Sequence, residues 1–254
     1  MDIPLLSIII PAYNEENRLP ETLALVHEFI QNQPFETEVL VVENGSQDRT
    51  LQIAQEFAAT HQGFQAVHET ERGKGRAVKR GMLEASGKFR FMCDADFSMP
   101  VGEIPRFLPP QLGDYDIAIA SREAPGAIRY NEPSYRHLGG RLVNLMIRVL
   151  ALPDLQDTQC GFKCLRAEVA EDLFASLSLT GWSFDIEMLY LARLRGYRIV
   201  EVPIPWYFSV NSKIDPLKDA LKMGLDILKI RWRALCGQYR QEPGPEASRQ
   251  VGKF

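Results

Sequence analysis

Cysteine is scarce in this chain and falls into no pattern. Cys93, Cys160, Cys164 and Cys236 are all that 254 residues contain, and Cys160-x3-Cys164 has no second Cys or His pair to complete a zinc site. Reduced thiols, largely packing residues of a reducing compartment, are the expectation. Long apolar runs are also missing. A spanning helix needs about 18 apolar residues, and the best stretch, 142–152, is short and interrupted by Arg148. No basic segment leads into an apolar one at Met1-Asp2-Ile3-Pro4, so neither a leader nor a membrane span is expected. A basic surplus is absent as well: the net charge of −4 argues against a generic nucleic-acid binder. No G-x-G-x-x-G follows the first apolar run, which disfavours a dinucleotide-dependent oxidoreductase.

What remains is the composition of an ordinary globular α/β protein, 45% hydrophobic and 24% charged. Short β-branched runs at 6–10, 38–42, 89–93 and 116–120, bounded by turn residues, predict buried strands of a mainly parallel sheet. Helical spacing of Leu23, Val26, Phe29 and Ile30, and of Leu51, Ile53, Ala54, Phe57 and Ala58, predicts helices between them, the second opened by polar capping residues at 46–49. Strand–helix alternation of this kind predicts a doubly wound sheet with ligands at the carboxyl ends of its strands. Beyond Ser121 the texture changes. Residues 123–133 read as a mobile loop, 135–152 as a helix, 157–163 as a polar turn, 184–194 as a helix and 198–206 as an edge strand. The tail from about 241 is rich in Pro, Gly, Ser and charge, and no internal repeat is visible.

The sharpest chemical feature is Phe91-Met92-Cys93-Asp94-Ala95-Asp96. Side chains at i and i+2 of a strand point the same way, so Asp94 and Asp96 would face one site just past a strand end. Paired carboxylates suit a hard divalent cation, Mg²⁺ or Mn²⁺, bridging them to a diphosphate. Asp-x-Asp alone is common and could be a solvated acidic turn. Its company matters more: Pro11-Ala12-Tyr13-Asn14-Glu15-Glu16 ends the first strand, Glu43-Asn44-Gly45-Ser46-Gln47-Asp48 ends the second, and Arg72-Gly73-Lys74-Gly75 adds a cation on a flexible backbone suited to a phosphate.

These segments resemble glycosyltransferase family 2, the inverting enzymes of the GT-A fold. Ile10-Pro11-Ala12-Tyr13-Asn14-Glu15 is similar to that family's opening motif, residues 43–50 to its second motif, with Glu43 where Asp is more frequent, and Asp94-Ala95-Asp96 to its metal motif. The resemblance implies a single GT-A domain over residues 1–235, a mainly parallel Rossmann-like sheet flanked by helices, with a nucleotide-sugar half at about 5–122 and an acceptor half at about 123–235, then a flexible tail over 236–254. It places Pro11, Tyr13, Glu15, Glu43 and Asp48 in or beside a nucleotide pocket, Asp94 near ribose and diphosphate, and Asp96 as main ligand of the metal. Asp157-Thr158-Gln159-Cys160-Gly161-Phe162-Lys163, Trp182-Ser183-Phe184-Asp185-Ile186-Glu187 and Asn211-Ser212-Lys213 resemble the polyprenyl-phosphate sugar synthases, the glucosyltransferase branch more than the mannosyltransferase branch. That implies a nucleotide-sugar donor, UDP-glucose before GDP-mannose, and a lipid-phosphate acceptor.

Lys74, Arg122, Arg129 and Arg136 are candidates to neutralise the leaving diphosphate, Arg122 best placed after its strand; each could equally be a surface cation. A phosphomonoester acceptor is already mostly a dianion at neutral pH and needs no general base. Asp157 is therefore expected to orient the acceptor side or a cation, through Lys163. Arg136, Arg141 and Lys213 are expected to bind the acceptor phosphate, and Asp185 and Glu187 to act partly as helix caps. Leu217, Leu221, Leu225, Leu228, Trp232 and Leu235 fall at helical spacing among basic residues in 216–235. Such a C-terminal amphipathic helix suits an anionic bilayer surface, or packs on the core. Peripheral contact at the cytoplasmic face of a membrane is the expectation, with a membrane-protein partner or a second copy left open. A soluble acceptor, and an idle sugar-nucleotide-binding module, are the rival readings.

Overall fold

A computed structural model describes residues 3–96, 98–208 and 216–239. Its centre is a seven-stranded sheet of β1 (Leu6–Ala12), β2 (Thr37–Asn44), β3 (Phe64–Glu69), β4 (Phe89–Met92), β5 (Ile117–Ser121), β7 (Lys163–Arg166) and β8 (Ile199–Pro203), in the order β3-β2-β1-β4-β7-β5-β8. Every pairing is parallel except those of β7, which runs antiparallel between β4 and β5. The apolar runs are continuous because both sheet faces are covered. Ile9, Met92 and Ile119 look to one core, with helices α3 (Lys74–Glu84), α5 (Ala167–Ser176) and α6 (Phe184–Leu194). Ile8, Ile10 and Phe91 look to the other, with α1 (Leu19–Gln31), α2 (Thr50–Thr60) and the 3₁₀ helix Val101–Phe107. Full burial of each such side chain contributes about 1.5–3 kcal/mol.

Parallel register puts Pro11 beside Val42 and Ala12 beside Glu43, while Ile9 pairs with Met92. The ends of β1, β2 and β4 thus open on one edge. Because β7 is antiparallel, the 157–162 segment enters it at that same edge, which the polar-turn reading could not foresee. Of the expected mobile loop, Ile128–Tyr130 is a strand, β6, pairing in parallel with β9 (Pro205–Tyr207) in a separate two-stranded ribbon.

The C-terminal half carries α4 (Ser134–Leu150) and α7 (Pro216–Leu235). In α7, Met223, Ile227 and Ile230 pack on the core, whereas Leu221, Leu225, Leu228, Trp232 and Leu235 are each more than half exposed. The stripe read from the sequence is therefore the outward one, and a second apolar stripe holds the helix down. The chain stays packed beyond 235, against the flexible tail expected from 236: Tyr239 is buried and its hydroxyl donates to Glu187 Oε1 at 2.6 Å. The remaining tail lies outside the described residues. Among the described residues no helix is long and apolar enough to cross a membrane.

Candidate active site

The strand ends before the acids do. β4 stops at Met92, Cys93 N–H still donates to the Ile9 carbonyl at 2.9 Å, and the chain then turns through Ala95 and Asp96. The two carboxylates consequently sit on a turn rather than at i and i+2 of a strand. Contacts from distant segments fix that turn. Lys74 Nζ lies 2.6 Å from Asp94 Oδ1. On the carboxylate's other side the backbone of Gly161 presses so closely that a Cβ there would stand 2.2 Å from Oδ2. Ser98 N–H donates to Oδ1 of the exposed Asp96 at 3.2 Å, and the Thr22 hydroxyl holds the Ala95 carbonyl at 2.7 Å. Burial alone would lower the Lys74 pKa, but Asp94, Asp185 and, more weakly, Asp96 raise it, so the ammonium stays charged between the acids. Both carboxylates share the surroundings of this one lysine.

Lys74 reaches the turn because Arg72-Gly73-Lys74-Gly75 is the start of α3, not a free loop. Its glycines serve close packing. Gly75 N–H donates to the Thr180 carbonyl at 2.9 Å, and a Cβ on Gly75 would be 2.8 Å from Phe184 Cβ. Lys74 Nζ also sits 4.9 Å from the centroid of Trp182, and the Arg72 guanidinium 4.4 Å from that of Tyr13, both cation–π distances.

The turns after β1 and β2 are laced together. Asn14 takes a left-handed conformation (φ 51°), which a short polar side chain tolerates. It accepts from Gln47 N–H at 2.9 Å and donates its own N–H to Ser46 Oγ at 3.0 Å. Glu15 N–H donates to Thr50 Oγ1 at 2.7 Å, while the Glu15 carboxylate pairs with Arg18 at 2.6 Å. Burial would raise the Asp48 pKa, yet hydrogen bonds from Thr50 and the Glu16 N–H bring it below its ordinary value. Glu43 is 1% exposed and is occupied by the Ser46 N–H and by His68 Nδ1, the latter at 2.6 Å. Glu43 and Asp48, expected in or beside a nucleotide pocket, thus hold the turns after β2 and β1 in shape.

On the far side, Asp157 is gripped by Arg122, not by Lys163. Arg122 Nε, Nη2 and backbone N–H donate to its carboxylate at 2.7, 3.0 and 3.0 Å. Burial alone would raise the Asp157 pKa; the Arg122 guanidinium outweighs it and holds the carboxyl down at about 2. Lys163 pairs instead with buried Asp185 at 2.9 Å and donates to the Cys160 carbonyl at 2.6 Å. Glu187, fully buried, accepts from Ser178 N–H at 3.0 Å and Leu179 N–H at 2.7 Å, bracing the loop against α3 rather than capping its own helix. Arg129 is engaged by Glu123 and Glu132 at 2.5 and 2.7 Å, so its charge is already matched. Arg136 and Arg141 are both carried by α4; Arg141 is exposed, with no contact to the acidic turn among the described residues. Lys213 lies outside the described residues. Cys160 and Cys164 are free and buried, and burial pushes both thiols up to about 12, as packing residues.

Gly161 and Trp182 stood in motif segments, but their contacts, Gly161 against Asp94 and Trp182 beside Lys74, were not foreseen, and Glu201, which accepts the N–H groups of Gln156 and Asp157 at 2.9 and 3.0 Å, was missed altogether. A lone acid inside the apolar strand β8 was the available signal for Glu201.

A mainly parallel sheet with an acidic turn and two nucleotide-type turns on one carboxyl edge is the GT-A architecture of nucleotide-sugar transferases. Residues 7–174 match the glycosyl transferase family 2 model, and the chain belongs to that family. It is 36% identical over 251 residues to a dolichyl-phosphate beta-glucosyltransferase of Drosophila melanogaster, covering 92% of this chain and 77% of that protein. It is 33% identical to the human protein of the same name, covering 93% and 78%. Among solved structures it is similar to glucosyl-3-phosphoglycerate synthase of Mycobacterium tuberculosis in complex with Mn²⁺ and UDP-glucose, with a TM-score of 0.64, 19% identity and coverage of 95% and 81%. Mannosyl-3-phosphoglycerate synthase of Rubrobacter xylanophilus gives a TM-score of 0.66 at 17% identity, covering 96% and 78%. At these identities the two structures speak for the fold alone.

Proposed function

We propose that this glycosyltransferase moves glucose from UDP-glucose, with inversion, onto a polyprenyl phosphate of the dolichyl type, at a membrane surface. The observation that carries the acceptor is the state of Asp157. A carboxylate with a pKa of about 2, clamped by Arg122, is a poor proton acceptor. A sugar hydroxyl would need a base there; a phosphate dianion needs none. The names of the relatives support the same donor sugar and the same acceptor.

The carboxylates of Asp94 and Asp96 fit a hard divalent cation, Mg²⁺ or Mn²⁺, in the chemistry of their oxygen donors. Among the described residues no three His, Cys, Asp or Glu side chains form a closed cage, so donor oxygens would complete the set. When bound, the metal supplies charge neutralisation for the departing diphosphate. Lys74 holds Asp94 in place and adds a second fixed positive charge at the same turn, already desolvated and needing no reorganisation. Tyr13, Glu15 and Pro11, on the turn after β1, would flank the nucleotide. Arg122 keeps Asp157 ionised and rigid at the acceptor side, Arg136 and Lys213 are assigned to the acceptor phosphate, and Arg141, exposed on α4, meets that phosphate only where it lies at the membrane surface.

Membrane contact would run through α7 with α4. The two helices are neighbours: Arg231 donates to the Leu150 carbonyl at 2.6 Å. Leu142, Leu145 and Val149 of α4 are exposed like the α7 stripe, and Arg141, Arg148, Lys222, Lys229 and Arg231 are exposed around them. Apolar side chains rimmed by cations suit an anionic bilayer surface.

The test is release of UDP from UDP-glucose on addition of polyprenyl phosphate, with Mg²⁺ or Mn²⁺ and after chelation. Asp96→Ala should lower turnover by about 100-fold or more. Full turnover by that variant would remove the metal assignment, and transfer to a phosphoglycerate in preference to the lipid would replace the acceptor.

A further inference from the structure

The ribbon β6–β9 has two unlike faces. Strand alternation sets Arg129 and Trp206, paired in register, on one of them. There the guanidiniums of Arg122 and Arg129 lie 5.4 and 5.8 Å from the Trp206 ring centroid, and Arg129 Nε donates to the Arg122 carbonyl at 3.2 Å. This face is thereby joined to the Arg122–Asp157 pair. Ile128 and Tyr130, paired in register with Pro205 and Tyr207, belong to the other face. The rings of Tyr130 and Tyr207 stack at 4.6 Å and 11°, yet they remain 37% and 44% exposed, and Ile128 is 50% exposed.

The ribbon is anchored to the acidic turn. Tyr207 N–H donates to the Ser98 carbonyl at 2.7 Å, and Ser98 N–H in turn donates to Asp96 Oδ1 at 3.2 Å. A pair of three-residue strands buries too little to be stable by itself, so its place is dictated by these tethers at the rim of the site. Exposed aromatic rings stacked side by side stabilise no core. They offer a flat apolar surface within one hydrogen-bonded residue of the metal turn.

We propose that Ile128, Tyr130, Pro205 and Tyr207 form a platform for the first isoprene units of the acceptor, holding the chain while its phosphate lies at the Arg122 side. This rests on the lipid-phosphate reading above. Arg122, which clamps Asp157, rests on Trp206 of this ribbon, so an acceptor whose phosphate enters beside Asp157 carries its branched apolar chain past the ribbon's exposed apolar face. The chain's onward path is also marked, since α4 begins at Ser134 soon after β6 and carries the exposed Leu142, Leu145 and Val149.

The experiment compares the full chain with Tyr130→Ser/Tyr207→Ser, using UDP-glucose, Mn²⁺ and polyprenyl phosphate in detergent. KM for the lipid should rise about 10-fold or more, while KM for UDP-glucose and calorimetric UDP binding stay unchanged. A benzophenone-bearing isoprenyl phosphate should label peptides containing Ile128–Tyr130 or Pro205–Tyr207 in the unaltered protein. Should the double variant fail to fold, Ile128→Ser and the labelling map carry the test. Unchanged lipid KM, or labelling confined to other peptides, overturns the platform while leaving the parent reading intact. If the unaltered chain glucosylates no isoprenoid phosphate at all, the parent reading falls and the platform with it.

Discussion

Gly161→Ala isolates the placement of one carboxylate. A Cβ at this position would lie 2.2 Å from Oδ2 and 2.5 Å from Cγ of Asp94, where ordinary carbon contacts begin at about 3.5 Å. The Asp94 carboxylate must retreat by about 1 Å from Gly161, which disturbs its 2.6 Å contact with Lys74. Because the obstacle is a side-chain end and not backbone, the fold can yield. Overpacking of this kind costs about 1 kcal/mol, and the melting temperature should fall by about 2–4 °C in a chain of this size. Catalysis should suffer far more, since a misplacement of about 1 Å is worth about 100-fold in rate.

The assay is kcat for UDP release with polyprenyl phosphate and Mn²⁺, alongside thermal melting. Two further glycines supply the contrast. Nothing lies within 4 Å of a Cβ at Gly102, so Gly102→Ala should change neither quantity. At Gly87 the Cβ would meet the backbone N of Ser7 at 2.7 Å, so Gly87→Ala should lose stability first. A Gly161→Ala enzyme that works within about 3-fold of the unaltered one would show that the Asp94 position does not govern turnover, and the argument from its two-sided clamp would fail.

Lys163→Met strands the buried Asp185 carboxylate without its 2.9 Å partner; chemical denaturation should report a loss of about 3 kcal/mol or more, and an unchanged midpoint would contradict the pairing. The Asp157 carboxyl has its folded pKa depressed from 3.8 to about 2, so its stabilisation of about 2 kcal/mol is complete above the unfolded value and fades as pH falls from about 4 to 2. Asp157→Asn should therefore be less stable at pH 7, with the gap to the unaltered protein closing over that acid window in urea melts. Leu225→Ser with Trp232→Ser, both on the exposed stripe, should cut flotation with anionic vesicles by about 10-fold or more while leaving the melting temperature within about 2 °C; equal flotation would dissociate the stripe from membranes.

Much of this organisation is legible in the residues, for reasons that also mark where reading stops. The apolar runs ending at Pro11, Glu43 and Cys93 announce β1, β2 and β4 because a strand buried on both faces leaves few polar positions, Ser7 and Arg90 among them. Their shared edge follows from parallel pairing. β7 gives no such announcement. It is four residues long, and its first residue, Lys163, is a buried charge that a hydrophobic reading rejects. Its partner, Asp185, lies beyond a whole helix in the chain, so proximity in sequence suggested Asp157 instead. On α7, periodicity found a stripe but not its direction. Met223, Ile227 and Ile230 recur at helical spacing too, and only packing tells which set faces inward.

The same limit shows why the acceptor's chemistry is better read from Arg122 and Asp157 than from any motif. An aspartate on the acceptor side is a base in one protein and a brace in another, and the letters are identical. What separates the two roles is the charge beside it. A guanidinium donating twice through its side chain, with the backbone N–H of the same residue added, removes the carboxylate's appetite for a proton. Held this way Asp157 is no base, and the acceptor proposed above, a phosphate, arrives already ionised and asks for none.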